Sequence, residues 1–105
     1  MSELKKATME HYDRLASCRT YDEFYDEGWG QYVCPLCRSY NCIYSCDNRC
    51  PVKKKTGRNF CKDSPWSDMD HEIGLTRKDR HRDTPLPSVL AMRDFLESLD
   101  WSDQP

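Results

Sequence analysis

CPLCRSYNCIYSCDNRCPVKKKTGRNFC, residues 34–61, holds six of the chain's seven cysteines and decides how this protein keeps a shape. Its opening, Cys34-Pro35-Leu36-Cys37, is a Cys-x2-Cys turn of the kind that presents two thiolates while nearby backbone amides hydrogen-bond the sulfurs. Zinc takes four such ligands at tetrahedral corners. Cys50 and Cys61 bracket the basic run between them and close the longer loop, so the preferred ligand set is Cys34, Cys37, Cys50 and Cys61. Cys46 is a close competitor, because Cys42, Cys46 and Cys50 stand at i, i+4 and i+8 and would line one helical face. Pro51 disfavours helical geometry at Cys50, so any such helix ends there. An iron–sulfur cluster is the chemical rival. Cys46-x3-Cys50-Pro51 echoes the end of a ferredoxin run, but the tight Cys-x2-Cys-x2-Cys part is absent.

Composition makes an added constraint necessary. Leu, Ile, Val and Phe together supply 16 of 105 residues, and charged residues make up 32%. That ratio alone predicts disorder. A chain with so little apolar surface needs a metal, disulfides or a partner to offset its conformational entropy. The start, Met1-Ser2-Glu3-Leu4-Lys5-Lys6, leads into polar sequence with no apolar leader. A cytoplasmic location is therefore expected, where thiols stay reduced and dense cysteines read as metal ligands before disulfides. No run is long and apolar enough to span a bilayer, so no membrane association is expected.

Outward from the cysteines, the expected fold is small, mainly α and metal-stabilised: terminal helices packed beside an irregular, zinc-knuckle-like loop module, all in one domain. Residues 1–28 read as N-terminal helices. Leu4, Ala7, His11 or Tyr12, and Leu15 recur at three-to-four spacing, and Thr20 with Glu23 has capping-box spacing for a second helix stopping at Gly28. Its aromatics Tyr21, Phe24 and Tyr25 are expected to pack on the first helix. Residues 29–66 form the cysteine-rich module, opened by a short strand over 29–33, turned at the basic segment 53–58, and closed by Asp63-Ser64-Pro65-Trp66. Residues 67–83 are strongly charged and read as loop. Thr84-Pro85 then starts a helix over 84–100 with Val89, Met92, Phe95 or Leu96, and Leu99 as its apolar stripe, which packs on the first helix. Residues 101–105 read as a frayed acidic tail. Cys18 and Cys42 read as small apolar residues, and His11, His71 and His81 as surface residues.

Trp29, Cys34-Pro-Leu-Cys37, a further cysteine before Cys50-Pro51-Val52, then Thr56-Gly57, Cys61 and Ser64-Pro65-Trp66 occur in a distinctive order. In this the chain resembles a group of short cysteine-rich proteins encoded by tailed phages and prophages. The resemblance covers residues 29–66. It implies a phage-type metal-binding module acting in the host cell cytoplasm, with no established activity to transfer. Two departures stand out: three residues separate Cys46 from Cys50 where that group commonly has two, and Cys42 is additional.

Enzyme chemistry needs convergent groups, and the sequence has no His-Glu-x-x-His helix, deaminase signature, phosphate-cradling glycine loop or nucleophile elbow. A site saturated by four cysteines has no open position for substrate. The expectation is a non-enzymatic protein with no small-molecule substrate. Charge is segregated: residues 1–33 carry four Lys/Arg against seven Asp/Glu, residues 34–82 eleven against six, and residues 83–105 one against five. Two binding roles follow. The first is a host-protein partner, with inhibition of a host enzyme or defence system as the outcome the phage resemblance implies. Tyr44, Arg49, Lys53, Lys54, Lys55, Arg58 and Trp66 are its candidate contacts, since interfaces favour Tyr, Trp and Arg. The second is nucleic acid, met by the basic segment 53–62 with Tyr40, Tyr44 and Phe60 for stacking. The net charge of −2 and the acidic ends weigh against a long polyanion.

Overall fold

The computed structural model describes residues 3–30, 34, 35, 38, 40, 49–58, 61, 64–78 and 84–101. Helix α1, Glu3–Ser17, buries Leu4, Thr8, His11, Tyr12 and Leu15 along one face. Thr8 takes the place expected of Ala7, which is exposed. Its hydroxyl donates to the Leu4 carbonyl at 2.8 Å, so a polar side chain sits in the core without an unmet hydrogen bond. His11 is also buried, against the expectation of a surface histidine.

Helix α2, Tyr21–Glu27, begins with the expected capping box: the Glu23 amide donates to Thr20 Oγ1 at 3.2 Å, and the Thr20 amide donates to Glu23 Oε1 at 3.0 Å. It stops at Gly28, whose φ of 78° excludes most side chains. Phe24 alone of its aromatics is fully buried. Tyr25 is 69% exposed, which corrects the expectation that all three pack inward.

The basic segment is a helix and not a turn. Helix α3, Pro51–Thr56, has proline at its first position, which holds Cys50 in extended geometry (φ −60°, ψ 125°) as the N-cap. Pro51 thus starts a helix here. Gly57, at φ 72°, closes it in the left-handed conformation.

The charged stretch expected as loop is largely helical. Helix α4, Trp66–Leu75, needs only Met69 and Ile73, both fully buried and four residues apart, to anchor it. Asp68, Asp70 and His71 ride on its exposed face. Trp66 therefore opens a helix where it was expected to close the cysteine module. Residues 79–83 lie outside the described set.

Helix α5, Pro87–Glu97, starts three residues later than Thr84-Pro85 suggests. Pro87 holds Leu86 extended (φ −67°, ψ 130°), so a helix cannot pass through it from Pro85. Leu86 has no side-chain acceptor, and the cap comes from α4. Glu72 Oε1 accepts from the Ser88 hydroxyl at 3.0 Å and from the Ser88 amide at 3.3 Å. Beyond α5, Trp101 is buried and its indole Nε1 donates to the Leu96 carbonyl at 2.9 Å, so the expected frayed tail does not begin there.

The first and last helices pack together as expected, and Lys5–Glu97 (3.4 Å) and Arg93–Asp13 pair across their edges. Helix α4 covers α5 and touches α2. One contiguous core joins Leu4, Tyr12, Leu15, Phe24, Val52, Met69, Ile73, Leu86, Val89, Met92 and Leu96. A radius of gyration of 13.4 Å matches the roughly 13 Å of a folded chain this long, whereas composition alone pointed to disorder. Among the described residues the architecture is mainly helical, with no strand; most of the strand expected over 29–33 lies outside them.

Candidate metal centre and cationic face

Cys34 and Cys50 are buried to 6% and 3% exposure within the core, and Cys61 packs against it half-buried. All three are free thiols. Cys34 is held by its backbone, which donates to the Gly30 carbonyl at 3.1 Å and accepts from the Arg38 amide at 3.0 Å. Cys50 is placed by the proline-started helix, and its carbonyl accepts from the Lys54 amide at 2.9 Å. Cys61 has φ 61°, a left-handed conformation that a side chain rarely adopts without compensation from its surroundings. Its carbonyl accepts from the Ser64 hydroxyl.

Three of the four preferred zinc ligands thus belong to one core. Cys37, the fourth, lies outside the described residues, as do Cys42 and Cys46, the competitor of Cys61 for the second pair. Among the described residues no group of three or more His, Cys, Asp or Glu side chains is placed to hold a metal ion. Cys34, Cys50 and Cys61 therefore do not complete a centre by themselves. Cys34 and Cys50 are shielded from water, whereas Cys61 is half-buried.

Cys18 differs in kind. It is buried at the end of α1, and its thiol donates to the Arg14 carbonyl at 3.3 Å. Burial first, then the charges of Glu23 and Glu27, pushes its pKa up to about 11. It stays protonated near neutrality and sits among the apolar side chains of the core.

His11 is the histidine sequence reasoning missed. Its Nδ1 lies 2.9 Å from Glu27 Oε2, and Glu27 Oε1 accepts from Arg14 Nε at 2.9 Å. Desolvation outweighs the attraction of Glu27 and lowers the imidazole pKa below its ordinary value, with Arg14 adding to the fall. The ring is therefore neutral at pH 7. Since the carboxylate can only accept, Nδ1 carries the hydrogen and Nε2 is left as a buried acceptor without a partner among the described residues. The spacing that put His11 on the apolar face with Leu4 and Leu15 was the available signal.

Of the expected contact residues, Lys54, Lys55 and Arg58 are exposed on and just after α3, with Pro51 and Val52 buried beneath them. Lys53 is half-buried. Arg49 is exposed, its guanidinium 5.7 Å from the centre of the Tyr40 ring. Tyr44 lies outside the described residues. Trp66 is half-buried and braces the fold, donating from Nε1 to the Trp29 carbonyl at 3.0 Å. His71 is exposed on α4, beside an open groove of about 420 Å3 between α4 and α5, and His81 lies outside the described residues. No described helix is long and apolar enough to cross a membrane. No protein-family model matches the chain, and neither does any curated protein or solved structure.

Proposed function

We propose that this chain is a zinc-stabilised, non-enzymatic binding protein that docks on a host protein and inhibits or redirects a host enzyme or defence component. The observation that carries the binding role is helix α3: Val52, 1% exposed, anchors it to the core while Lys54, Lys55 and Arg58 extend from it into solvent. A charged ridge on a fixed helix loses less conformational freedom on binding than the same residues on a loose turn. Arg49 and Lys53 extend the cationic area, with Tyr44 as a further contact. The proposed zinc ligands are Cys34, Cys37 and Cys50 with Cys61, or with Cys46 in place of Cys61; among the described residues, Cys34, Cys50 and Cys61 are not grouped to hold a metal as they stand. Burial of Cys34 and Cys50 and the left-handed backbone of Cys61 support that assignment. The host-directed role rests on the phage resemblance.

Nucleic acid is the second reading, favoured by the same exposed cations, and the acidic segments 1–33 and 83–105 oppose it. One experiment separates the two. The full chain and a Lys54→Glu/Lys55→Glu/Arg58→Glu variant are used as bait in bacterial lysate with and without nuclease, and titrated with labelled DNA and RNA at two salt concentrations. A stoichiometric, nuclease-resistant protein lost in the variant is the expected result. Tight, steeply salt-dependent nucleic-acid binding with no such protein would replace the first reading by the second.

A further inference from the structure

Helix α2 presents two side-chain rows that neither the metal nor the basic ridge accounts for, one running from exposed Tyr25 to Tyr21 and Trp29, which are half-buried against the core. Tyr21 and Tyr25, four residues apart, form one; their ring centres lie 6.3 Å apart and their planes are tilted by 36°. Trp29 extends it, meeting Tyr21 edge-on at 6.2 Å. Asp22 and Asp26 form the adjacent row, both exposed and with no ion-pair partner among the described residues. The other two carboxylates of the helix are already engaged, Glu23 in the capping box and Glu27 with His11 and Arg14.

Two of the three rings, Tyr21 and Trp29, are held in place by side-chain contacts. Arg77 stacks 4.8 Å from the Tyr21 ring centre and donates from Nη2 to the Tyr21 hydroxyl at 2.8 Å. Trp29 donates from Nε1 to Asp70 Oδ1 at 2.8 Å, and its carbonyl accepts from Trp66. Rings fixed before binding forfeit little rotamer entropy on contact, and Tyr, Trp and Arg are the residues that dominate binding energy at interfaces. Tyr25, at 69% exposure, is the largest apolar side chain so exposed among the described residues.

We propose that the outer face of α2, with Trp29 and Arg77, is a docking surface for a partner-protein segment that carries lysine or arginine beside an apolar side chain. Charge selects the occupant. Asp22 and Asp26 attract a cationic side chain, which also gains from lying over the exposed Tyr25 ring, since Arg77 already covers Tyr21. The same carboxylates repel phosphates, so the aromatic row does not serve as a stacking platform for nucleic acid. This surface stands apart from the cationic ridge of α3 and from the metal, and it takes a partner of opposite charge to the one α3 would take.

The test is selection of a displayed library of random peptides of about a dozen residues against the intact chain, with counter-selection against Tyr25→Ala. The variant loses no buried contact, so its melting should match the parent's. Enriched peptides should be net positive, with Lys or Arg next to Pro or another apolar residue, and should bind about tenfold more weakly to Tyr25→Ala and to Asp22→Asn/Asp26→Asn. Lys54→Glu/Lys55→Glu should leave their binding unchanged, which separates this surface from the α3 reading. Failure to enrich any peptide that discriminates Tyr25→Ala, enrichment of acidic peptides, or single-stranded DNA binding lost on Tyr25→Ala would each overturn the proposal.

Discussion

His11 and Glu27, sixteen residues apart, meet at 2.9 Å and tie the first helix to the second through an imidazole that is only 2% exposed. The folded chain keeps this ring neutral, because burial lowers its pKa below 6.5. A proton therefore binds the unfolded chain more readily than the folded one. The stability contributed by neutral His11 is complete above pH 6.5 and is lost as pH falls from there towards the lower folded-state value. Urea midpoints taken across pH 7.5 to 5.5 should fall for the native chain, and His11→Gln should flatten that slope whatever its effect at pH 7.5. An unchanged slope would mean that another group controls the acid limb.

The metal assignment predicts unequal tolerance at two buried cysteines. Cys34→Ser should remove zinc and unfold the middle of the chain, since structural zinc contributes about 10 kcal/mol or more to small domains. Cys18→Ala should cost about 1 kcal/mol and leave zinc content intact. Elemental analysis of protein purified without chelator, followed by melting under reducing conditions, checks both. Sharp, cooperative melting of a zinc-free and iron-free preparation would end the metal reading.

Helix α4 has few anchors, so each must matter. Ile73→Ala should destabilise by about 2–5 kcal/mol, the usual cost of emptying a buried aliphatic site. In a loop the same change would be nearly silent. Chemical denaturation monitored by tryptophan fluorescence distinguishes the two.

Glu72 gives a separate handle on α5. Glu72→Ala removes the acceptor for the Ser88 amide and hydroxyl, and a lost cap costs about 1 kcal/mol. Amide exchange at Ser88 should quicken in that variant, while α1 amides change only with global stability.

The elements legible in the sequence are those whose signals are local. Thr20 and Glu23 cap their own helix, and the stripes of α1 and α5 repeat often enough to reveal both the helices and their mutual packing. Helix α4 was obscured because only Met69 and Ile73 mark its inner face amid charges that serve equally well on a loop. The start of α5 lies at Pro87 and not Pro85: both prolines suit a first turn, and the acceptor that favours the later one, Glu72, belongs to another helix. His11 stands at the spacing of the apolar stripe, but its hydrogen-bond partner, Glu27, lies sixteen residues away, so nothing local shows how a buried imidazole is satisfied. At the candidate centre, Cys34 and Cys50 are buried in the core and Cys61 packs against it half-buried, but among the described residues they are not grouped to hold a metal ion, so spacing along the chain did not translate into a shared site there. Tyr21, Phe24 and Tyr25 are all expected to pack on the first helix, and only the structure separates exposed Tyr25 from buried Phe24.

The packing of α1 against α5 also determines when the molecule can first exist. The stripe of α1 waits for α5, about 80 residues later in synthesis, which at ribosomal speeds leaves the part that α5 covers exposed for roughly 4–16 s. Thr8 and His11 interrupt that stripe with polar atoms, so the nascent chain passes through this interval with a less adhesive surface than an all-aliphatic helix would expose.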